Sequence, residues 1–474
     1  MQALRITDLR GGARNVPGAT VAAFAAGLEG SFLQPGTDLY DDGVRIWNAM
    51  ITKRPAIVVR PTGTPDVVRT VNFARDNSLE LSVKGGGHNV AGLGLSDGGI
   101  TLDMSTLRGV TVAPRARRAT VDAGCTLGDV DQATQKHGLA TTLGFVSLTG
   151  IAGLTVGGGF GYLSRRFGWT VDDLEEVEIV TADGSVRRAS RDDSADLFWA
   201  IRGGGGNFGV VTKFVFRLHE VGPLVTGGII AWAASEAEGV LDVFRRVTDA
   251  APRELTIAAL MRNAPPAPWL PEAAHGTPIV ALVVCHSGSP EQAASDLAQI
   301  RQHGTPLADV IQVKSYVAQQ TMLDATQPQG RHYYWKSEFL AGVDATFLDL
   351  YRSQFVGNTS PANQIVLFQM GGAIGDLPED DGAVGNREAG FACVIQAAWP
   401  DGDPAGSAHR DWVRRSWEAL RAYSTGGNYV NFQSADEADD RTRQSYRANY
   451  ARLAAAKARY DPGNLFRVNR NIPA

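Results

Sequence analysis

The chain has 474 residues, 44% of them hydrophobic and 20% charged, which is typical of a folded protein with a large core and unlike a disordered chain. Its 45 basic and 50 acidic residues are well mixed and give a net charge of −5, so nucleic acid is not an expected partner. The three cysteines are far apart in the chain, which argues against a disulfide framework, a zinc cluster or any other metal site.

The N-terminal segment has none of the marks of a secretory signal, because Arg5, Asp8 and Arg10 interrupt every apolar stretch. No window of about 18 consecutive apolar residues occurs, so no membrane-spanning helix is expected. The resulting prediction is a cytoplasmic protein that makes no contact with a membrane.

Regular structure is predicted from about residue 55, after a leader that wraps onto the body. A strand over residues 56–59 is followed by Thr64, Pro65 and Asp66, which predict an N-cap and the first turn of a helix. A second strand is predicted over residues 79–83. This strand–helix–strand beginning favours an α+β or α/β body.

The rest of the chain predicts further strands and helices. Strands are expected over residues 101–103, 119–122, 177–180, 210–218, 225–232 and 278–285. Helices are expected over residues 236–247 and 290–303, and one C-terminal helix is expected to carry Tyr446, Tyr450 and Leu453 on one side.

Glycine is bunched in three segments, at residues 84–92, 149–161 and 202–211. A run of glycines after a strand lets backbone N–H groups point at phosphate or carbonyl oxygens with no side chain in the way. Three such segments favour an extended, phosphate-bearing ligand lying across the N-terminal half. The alternative is a set of tight turns without a ligand. The bunching stops near residue 222, so a second domain is predicted from about residue 223 to 424.

The second glycine segment was compared with the G-x-G-x-x-G fingerprint of dinucleotide-binding domains. Thr155 stands at the third position when the count begins at Gly153, and Ser164 stands at the sixth when it begins at Gly159. No apolar strand immediately precedes the segment. Classical NAD binding is therefore not expected.

His88 ends the first glycine segment, where its imidazole would project toward whatever the segment holds. This position favours contact with the ligand. The alternative is a histidine that only makes a structural hydrogen bond.

Three stretches of the sequence resemble the FAD-linked oxidases of the berberine bridge enzyme type, which share the flavin domain of the vanillyl-alcohol oxidases. They are residues 54–92 with the run KGGGHNVAG, residues 202–221 with RGGGGNFGVV, and residues 428–472 with NYVNF and YDPGNLF. The resemblance implies an α+β, two-domain PCMH-type FAD-binding fold. Its parts would be an FAD domain over residues 1–222 with a core from about residue 50, a substrate domain of antiparallel sheet and helices over residues 223–424, and a C-terminal segment over residues 425–474 that returns to the FAD domain.

The resemblance also implies FAD as the cofactor, bonded covalently through its 8α-methyl group to His88. The residues it places against FAD are Val83, Lys84, Gly85, Gly86, Gly87, His88 and Asn89 at the pyrophosphate, Ser147, Leu148, Thr149, Gly150, Gly153, Gly158, Gly159 and Gly161 along the rest of the flavin part, and Ile179 and Val211 near the adenine. Tyr429 and Asn431 match a Tyr-x-Asn motif beside the flavin ring, and Gln396 matches an active-site glutamine.

Several positions depart from the pattern of the family. Val146 stands where many relatives have a cysteine that forms a second bond to the flavin, so a single covalent link is expected. Leu154 replaces a histidine of some relatives. Thr149 falls at the position implied to control oxygen access, and its shape is close to that of the permissive valine. Val394 replaces a lysine next to Gln396, so that lysine is not present to lower the pKa of Tyr429.

Tyr429 is implied to act as a base or to orient the substrate. Tyrosine suits a proton acceptor in a site that is poor in carboxylates and histidines, although its ordinary pKa of about 10 would have to be lowered. The alternatives are a packed core tyrosine and, for Asn431, a cap at a strand end. Arg165 and Arg166 are expected on a solvated helix face rather than at a phosphate.

Three features of the second domain are left open. His286 and His332 could touch substrate, but an ordinary surface or loop position is favoured for each. The aromatic run at residues 333–335 is compatible with a binding wall and equally with a strand core.

The residues and the resemblance together predict an FAD-dependent oxidase. It would oxidise a C–H bond next to oxygen or nitrogen in an alcohol, a sugar or a natural-product intermediate, with dioxygen returned as hydrogen peroxide. The composition favours a high-GC bacterium as the source. The alternatives are a dehydrogenase with another electron acceptor and a non-catalytic protein that binds flavin or another ligand. The sequence identifies neither the substrate nor the oligomeric state.

Overall fold

The computed structural model describes residues 2–473, apart from the side chain of Asp439. Up to residue 222 the strands are β1 (Leu4–Thr7), β2 (Ala13–Val16), β3 (Ser31–Leu33), β4 (Ile57–Arg60), β5 (Leu81–Lys84), β6 (Ile100–Asp103), β7 (Val110–Ala113), β8 (Arg118–Asp122), β9 (Leu139–Ala140), β10 (Leu174–Val180), β11 (Val186–Ser190), β12 (Val210–Arg217) and β13 (His219–Glu220). The helices of this part are α1 (Gly18–Ala26), α2 (Tyr40–Gly43), α3 (Thr64–Asp76), α4 (Leu127–Gln135), α5 (Ile151–Val156), α6 (Ser164–Phe167) and α7 (Ala195–Ile201).

After residue 222 longer strands alternate with helices. The strands are β14 (Leu224–Ala233), β15 (Leu255–Asn263), β16 (Pro278–His286), β17 (Ala308–Asp309), β18 (Gln312–Ser315), β19 (His332–Leu340), β20 (Gln364–Gln369) and β21 (Phe391–Trp399). The helices are α8 (Ala237–Ala250), α9 (Pro290–Asp296), α10 (Ala298–Arg301), α11 (Tyr316–Gln320), α12 (Ala345–Gln354), α13 (Gly406–Leu420), α14 (Asp439–Tyr446) and α15 (Asn449–Tyr460). None of the described helices is both long and apolar enough to cross a lipid bilayer.

The first sheet contains the strand–helix–strand unit that the sequence predicts. Its order is β3-β4-β6-β5, and β4, β6 and β5 are parallel. Between β4 and β5, α3 buries Val67 and Val71 completely in the core. The predicted Thr64 cap is wrong: Gly63 occupies the N-cap position, and the Thr64 hydroxyl donates to a carboxylate oxygen of Glu178 at 2.7 Å. The hydroxyl is used in a tertiary contact with β10 instead of in its own helix.

A second sheet with the order β11-β10-β12-β8-β7 completes the N-terminal half. Its neighbouring strands are all antiparallel. The register of β10 and β12 places Ile179 directly opposite Val211. The side chains of both sheets and of α15 share one hydrophobic core.

The C-terminal segment packs into the core of the N-terminal half. Leu453 and Phe466 are buried there. The ammonium group of Lys457 is fully buried, pairs with Asp461 at 2.6 Å and donates to the carbonyl of Asn207 at 2.9 Å. A buried charge of this kind is tolerated only when it is paired and hydrogen-bonded, so these contacts fix the chain end firmly to the third glycine segment.

Two of the predicted helices are interrupted. The C-terminal helix is divided at Arg447, whose φ of 49° lies in the left-handed region, so Tyr446 belongs to α14 while Tyr450 and Leu453 belong to α15. The helix predicted over residues 290–303 is likewise divided between α9 and α10 at Leu297. Helical spacing of apolar residues continues through both interruptions and therefore did not reveal them.

The residues after 223 form one large antiparallel sheet with the order β17-β14-β16-β15-β20-β21-β19, and β18 also pairs with β14. Side chains of a strand alternate between the two faces of its sheet. On β15, Ile257 and Met261 lie in a core with α8, α12 and α13, while Ala258, Leu260 and Arg262 face the opposite way. The second face is directed toward the N-terminal half and is called the inner face below.

Arg165 joins the two halves from a buried position. Its guanidinium donates to the carbonyls of Leu255, Met370 and Ala251 at 2.9, 2.6 and 3.0 Å, and burial lowers its pKa to about 10. The expectation of a solvated helix face is therefore wrong for Arg165. Arg166 is half-buried and donates to a carbonyl beyond the end of β16. Neither arginine lines the cavity described below.

Candidate functional site

A deep cavity lies between the glycine segments and the inner face of the large sheet, with a volume of about 410 Å³. Residues of all three glycine segments line it, as do side chains of β14, β15, β16, β20 and β21. The C-terminal segment contributes Phe466, Val468 and Asn469. Among the described residues no carboxylate lines the cavity, so its surface is apolar with a few neutral or cationic groups.

The first two glycine segments touch each other through their backbones. A Cβ atom on Gly86 would collide with the backbone N of Gly150, and a Cβ atom on Gly150 would collide with the backbone N of Gly86. The N–H groups of Gly86, Gly87 and His88 donate to no acceptor in the described part of the chain. Such free donors at a glycine turn are suited to anionic oxygens.

The third glycine segment and the strands beside it line the same cavity. Gly205 and Gly206 line it together with Phe208. Ile179 and Val211, the residues expected near an adenine, are cross-strand partners and also line it. The structure thus brings together the residues that the sequence assigned to the two ends of one elongated ligand.

His88 lies beside Trp47 at the cavity wall. The two rings are stacked, with centroids 5.5 Å apart, and Trp47 stacks in turn on Tyr333 at 3.7 Å. Burial lowers the pKa of the His88 imidazole to about 4. The described structure records no hydrogen-bond partner for this ring, so it is neutral at physiological pH and has a nitrogen lone pair available for bonding.

Tyr429 is buried in an aromatic cluster with Phe160, Trp169 and Phe432. Its hydroxyl oxygen accepts hydrogen bonds from the Gly159 N–H at 3.1 Å and from Asn431 Nδ2 at 2.9 Å. Burial raises the pKa of the phenol well above its usual value, although both donors oppose the rise. A base would need a lowered pKa, whereas the aromatic cluster removes water from the hydroxyl group and so raises the pKa of Tyr429.

Gln396 lies on the inner face of the sheet and lines the cavity with Val394. Its side chain accepts a hydrogen bond from Gln364 Nε2 at 2.8 Å and donates to Gln327 Oε1 at 2.9 Å. Two other glutamines therefore hold the Gln396 amide in place.

Most of the predicted cofactor residues line the cavity. They are Val83, Lys84, Gly85, Gly86, Gly87, His88, Asn89, Thr149, Gly150, Gly153, Ile179, Val211, Tyr429 and Asn431. Val146 and Leu154, the positions that depart from the family pattern, line it as well.

Five predicted residues lie outside the cavity wall. Ser147 is held by Asp324 through its N–H and its hydroxyl, at 2.8 and 2.6 Å. Leu148 is 52% exposed. Gly158, Gly159 and Gly161 sit under the wall, where Cβ atoms would meet Val384, Thr170 and the Leu143 carbonyl, respectively. These glycines allow the close packing behind the wall. Gly159 also contacts the site, because its N–H donates a hydrogen bond to the Tyr429 hydroxyl.

The two histidines and the aromatic run of the second half lie in different surroundings. His286 is fully buried and pairs with Asp296 at 2.9 Å, so the expectation of a surface or loop position is wrong for it. His332 pairs with Asp401 at 3.2 Å. Neither histidine lines the cavity. In the aromatic run, Trp335 lines the cavity, whereas Tyr334 points to the other face and donates to Asp436.

Sequence reasoning missed several residues of the wall. They include Trp47, Phe145, Arg262, Trp269, Gln327, Gln364 and Phe368. Trp47 precedes the first strand that the sequence predicts, and the others lie on strands and loops with no bunched glycines. The alternation of side chains along β15 and β20 was the available signal, but it does not show which face of the sheet lines the cavity.

The FAD binding domain family matches residues 55–190, and the family described as berberine and berberine like matches residues 428–473. (R)-6-Hydroxynicotine oxidase of Paenarthrobacter nicotinovorans is 29% identical over 460 residues, which cover 94% of this chain and 97% of the relative. An FAD-linked oxidoreductase of Dictyostelium discoideum is 29% identical over 457 residues, covering 95% and 96%.

The chain therefore contains an FAD binding domain and a berberine-like domain, and its relatives are named FAD-linked oxidoreductases and oxidases. The crystal structure of 6-hydroxy-D-nicotine oxidase from Arthrobacter nicotinovorans resembles this protein with a TM-score of 0.82 at 28% identity, covering 94% of this chain and 98% of that one. The expected family and the expected α+β, PCMH-type fold are therefore confirmed.

The cavity fits FAD. Unpaired N–H groups at the glycine contact suit the pyrophosphate, and apolar walls suit the two ring systems. Tyr446 Oη, Trp335 Nε1 and Asn469 Oδ1 lie in the wall as buried polar atoms that have no partner among the described residues. Buried polar atoms normally have partners, so these atoms indicate a polar molecule that the cavity holds.

We expect Gly150→Ala to prevent FAD uptake, because the added Cβ would push the two glycine segments apart. The flavin absorbance per protein should fall at least about tenfold, since forcing extra atoms into a backbone contact costs about 1–3 kcal/mol or more. Gly342→Ala is the matched control, since its Cβ would meet nothing within 4 Å. Full flavin content in Gly150→Ala would show that the contact does not shape the cofactor site.

Proposed function

We propose that the protein is an FAD-dependent oxidase that removes a hydride from a C–H bond next to oxygen or nitrogen in an alcohol, a sugar or a natural-product intermediate. The observation that carries this proposal is one cavity that joins the glycine contact, His88 and Tyr429. Dioxygen would be the electron acceptor and hydrogen peroxide the second product. The relative named as a 6-hydroxynicotine oxidase supports a small-molecule substrate.

The residues proposed to hold FAD come from both ends of the chain. Residues 1–222 and 425–474 would form the FAD domain, and residues 223–424 would bind the substrate. Gly86, Gly87 and Gly150 would receive the pyrophosphate, and Ile179 and Val211 would contact the adenine. Bound FAD supplies a hydride acceptor and returns two electrons to dioxygen.

His88 is proposed to form the single covalent link to the cofactor. A neutral imidazole is needed for this bond, and the lowered pKa of His88 provides it. The imidazole nitrogen would replace one hydrogen of the 8α-methyl group, and the two electrons and two protons released would reduce dioxygen to hydrogen peroxide. Val146 carries no thiol, so a second link at that position is not proposed.

Tyr429 is proposed to act on the proton of the substrate's O–H or N–H group. Its oxygen already accepts two hydrogen bonds, which stabilise a phenolate and hold the ring in one orientation. Asn431 would act as a positioning residue through Tyr429, and Gln396 would orient the substrate from the inner face of the sheet. The apolar wall keeps water away from the reacting carbon.

Acid precipitation of the purified protein tests the covalent link. Flavin colour should stay in the pellet of the wild-type protein and move to the supernatant in His88→Ala. His332→Ala is the control, because His332 lies outside the cavity and should keep its colour in the pellet. Release of colour from the wild-type protein would show that FAD is bound without a bond to His88.

Rapid mixing with oxygen tests the electron acceptor without knowledge of the substrate. We expect dithionite-reduced protein to recover its flavin absorbance in aerated buffer much faster than free reduced FAD, with one hydrogen peroxide formed per flavin. Thr149→Val should react as the wild type does, because valine has the shape of threonine. Reoxidation no faster than that of free FAD would favour a dehydrogenase with another acceptor.

The pH dependence of flavin reduction tests the role of Tyr429. Because burial raises its pKa, the phenol is protonated at neutral pH, and the fraction of phenolate increases as the pH rises. With the alcohol or amine that reduces the flavin fastest, anaerobic reduction should therefore accelerate between about pH 7 and 10. In Tyr429→Phe the rate should fall roughly 10²–10⁴-fold and the pH dependence should disappear. An unchanged rate in this variant would assign Tyr429 to packing alone.

A further inference from the structure

A row of polar side chains crosses the inner face of the large sheet. The strand register places Arg262 opposite Gln364, Gln364 opposite Gln396, and Gln396 opposite Trp335. All four line the cavity. The glutamines bond to one another and to Gln327, so their amides are partly satisfied within the row. Arg262 stands at the end of this row and takes no part in the amide chain.

Arg262 has a cationic group and no described counter-ion. Its Nε donates to the carbonyl of Asn263 at 3.1 Å, and neither terminal nitrogen donates to any described protein atom. No carboxylate of the described residues lies within ion-pair distance. Burial lowers the pKa of the guanidinium, and the nearby Arg331 lowers it further. The two guanidinium groups repel each other, and an anion bound to Arg262 would reduce that repulsion.

The cavity wall on one side of Arg262 is apolar. Leu260, Ile279 and Trp269 line the cavity beside it. A guanidinium presents a planar fork that matches both oxygens of a carboxylate, and its charge-assisted bonds are strongest where water is excluded. This combination of one fork and an apolar wall selects a molecule with an acidic end and a hydrophobic body.

The strands also set the length of such a molecule. On β15, Ala258 and Arg262 both face the cavity, and four residues of strand span roughly 13 Å. Ala258 lies opposite Phe368, whose ring is 5.8 Å from that of Phe160, and Phe160 contacts Tyr429 at 5.1 Å. A molecule held at Arg262 can therefore reach toward Tyr429 along the inner face.

We propose that Arg262 binds the carboxylate of an amphipathic acid, which is the substrate class of this site. The apolar body of the acid lies along β15 and β20, and its alcohol or amine carbon lies at the Tyr429 end. This inference rests on the proposed oxidase function, since it assigns the substrate of the same cavity.

The test compares an acid with its uncharged counterpart on the holoprotein. Calorimetry measures the binding of 4-phenylbutyrate and of 4-phenylbutyramide, which match in size and differ in charge, together with the longer 6-phenylhexanoate. The wild-type protein should bind one of the acids at least about tenfold more tightly than the amide, as charge-assisted bidentate contacts do. Arg262→Met should abolish the preference, and Arg262→Lys should keep part of it. Arg115→Met is the control, because Arg115 is exposed and lies outside the cavity.

Three results would overturn the inference. They are equal affinity for acid and amide, failure of both acids to bind at millimolar concentration, and a preference that survives in Arg262→Met. Flavin content is measured on the same samples, and its loss in Arg262→Met would assign the arginine to FAD instead. A wild-type protein that takes up no FAD would contradict the oxidase proposal, and binding of the acids to that protein would still decide the role of Arg262.

Discussion

The backbone contact between Gly86 and Gly150 is the constraint on which the site depends. Two segments far apart in sequence meet there with no side chain between them, and only glycine permits that approach. The contact leaves the N–H groups of Gly86 and Gly87 without protein acceptors at the cavity wall. It also sets the position of His88, which follows directly in the chain. The negatively charged oxygens of the proposed cofactor would supply the partners that the protein itself does not.

Removal of water is the second feature that connects the residues of the site. His88, Tyr429 and Arg262 line a cavity whose described wall contains no carboxylate. Burial shifts the pKa of each side chain in the direction that favours its uncharged form. For His88 the consequence is a free lone pair, and for Tyr429 it is a phenol that keeps its proton. Arg262 has no described counter-ion, and it is the group of the inner face that is proposed to bind an anion.

The large sheet separates structural from functional side chains by the alternation of its strands. On β15, Ile257 and Met261 pack against helices, while Leu260 and Arg262 line the cavity. Because strands pair in register, residues from β15, β20 and β21 form one transverse row on the inner face. Substrate preference can therefore vary through these positions while the opposite face keeps the core intact.

Resemblance to known sequences was enough to predict the family and the FAD cofactor. Local signals were enough to locate the glycine segments and His88, because a glycine run after a strand acts through its own backbone and His88 is adjacent to such a run. Contacts between distant parts of the chain were needed to show that Thr64 bonds to Glu178, that Arg165 is buried between the halves, and that Arg262 and Trp47 line the cavity. Each of these depends on a partner from a distant part of the chain, and the pattern of neighbouring residues carries no information about which partner that is.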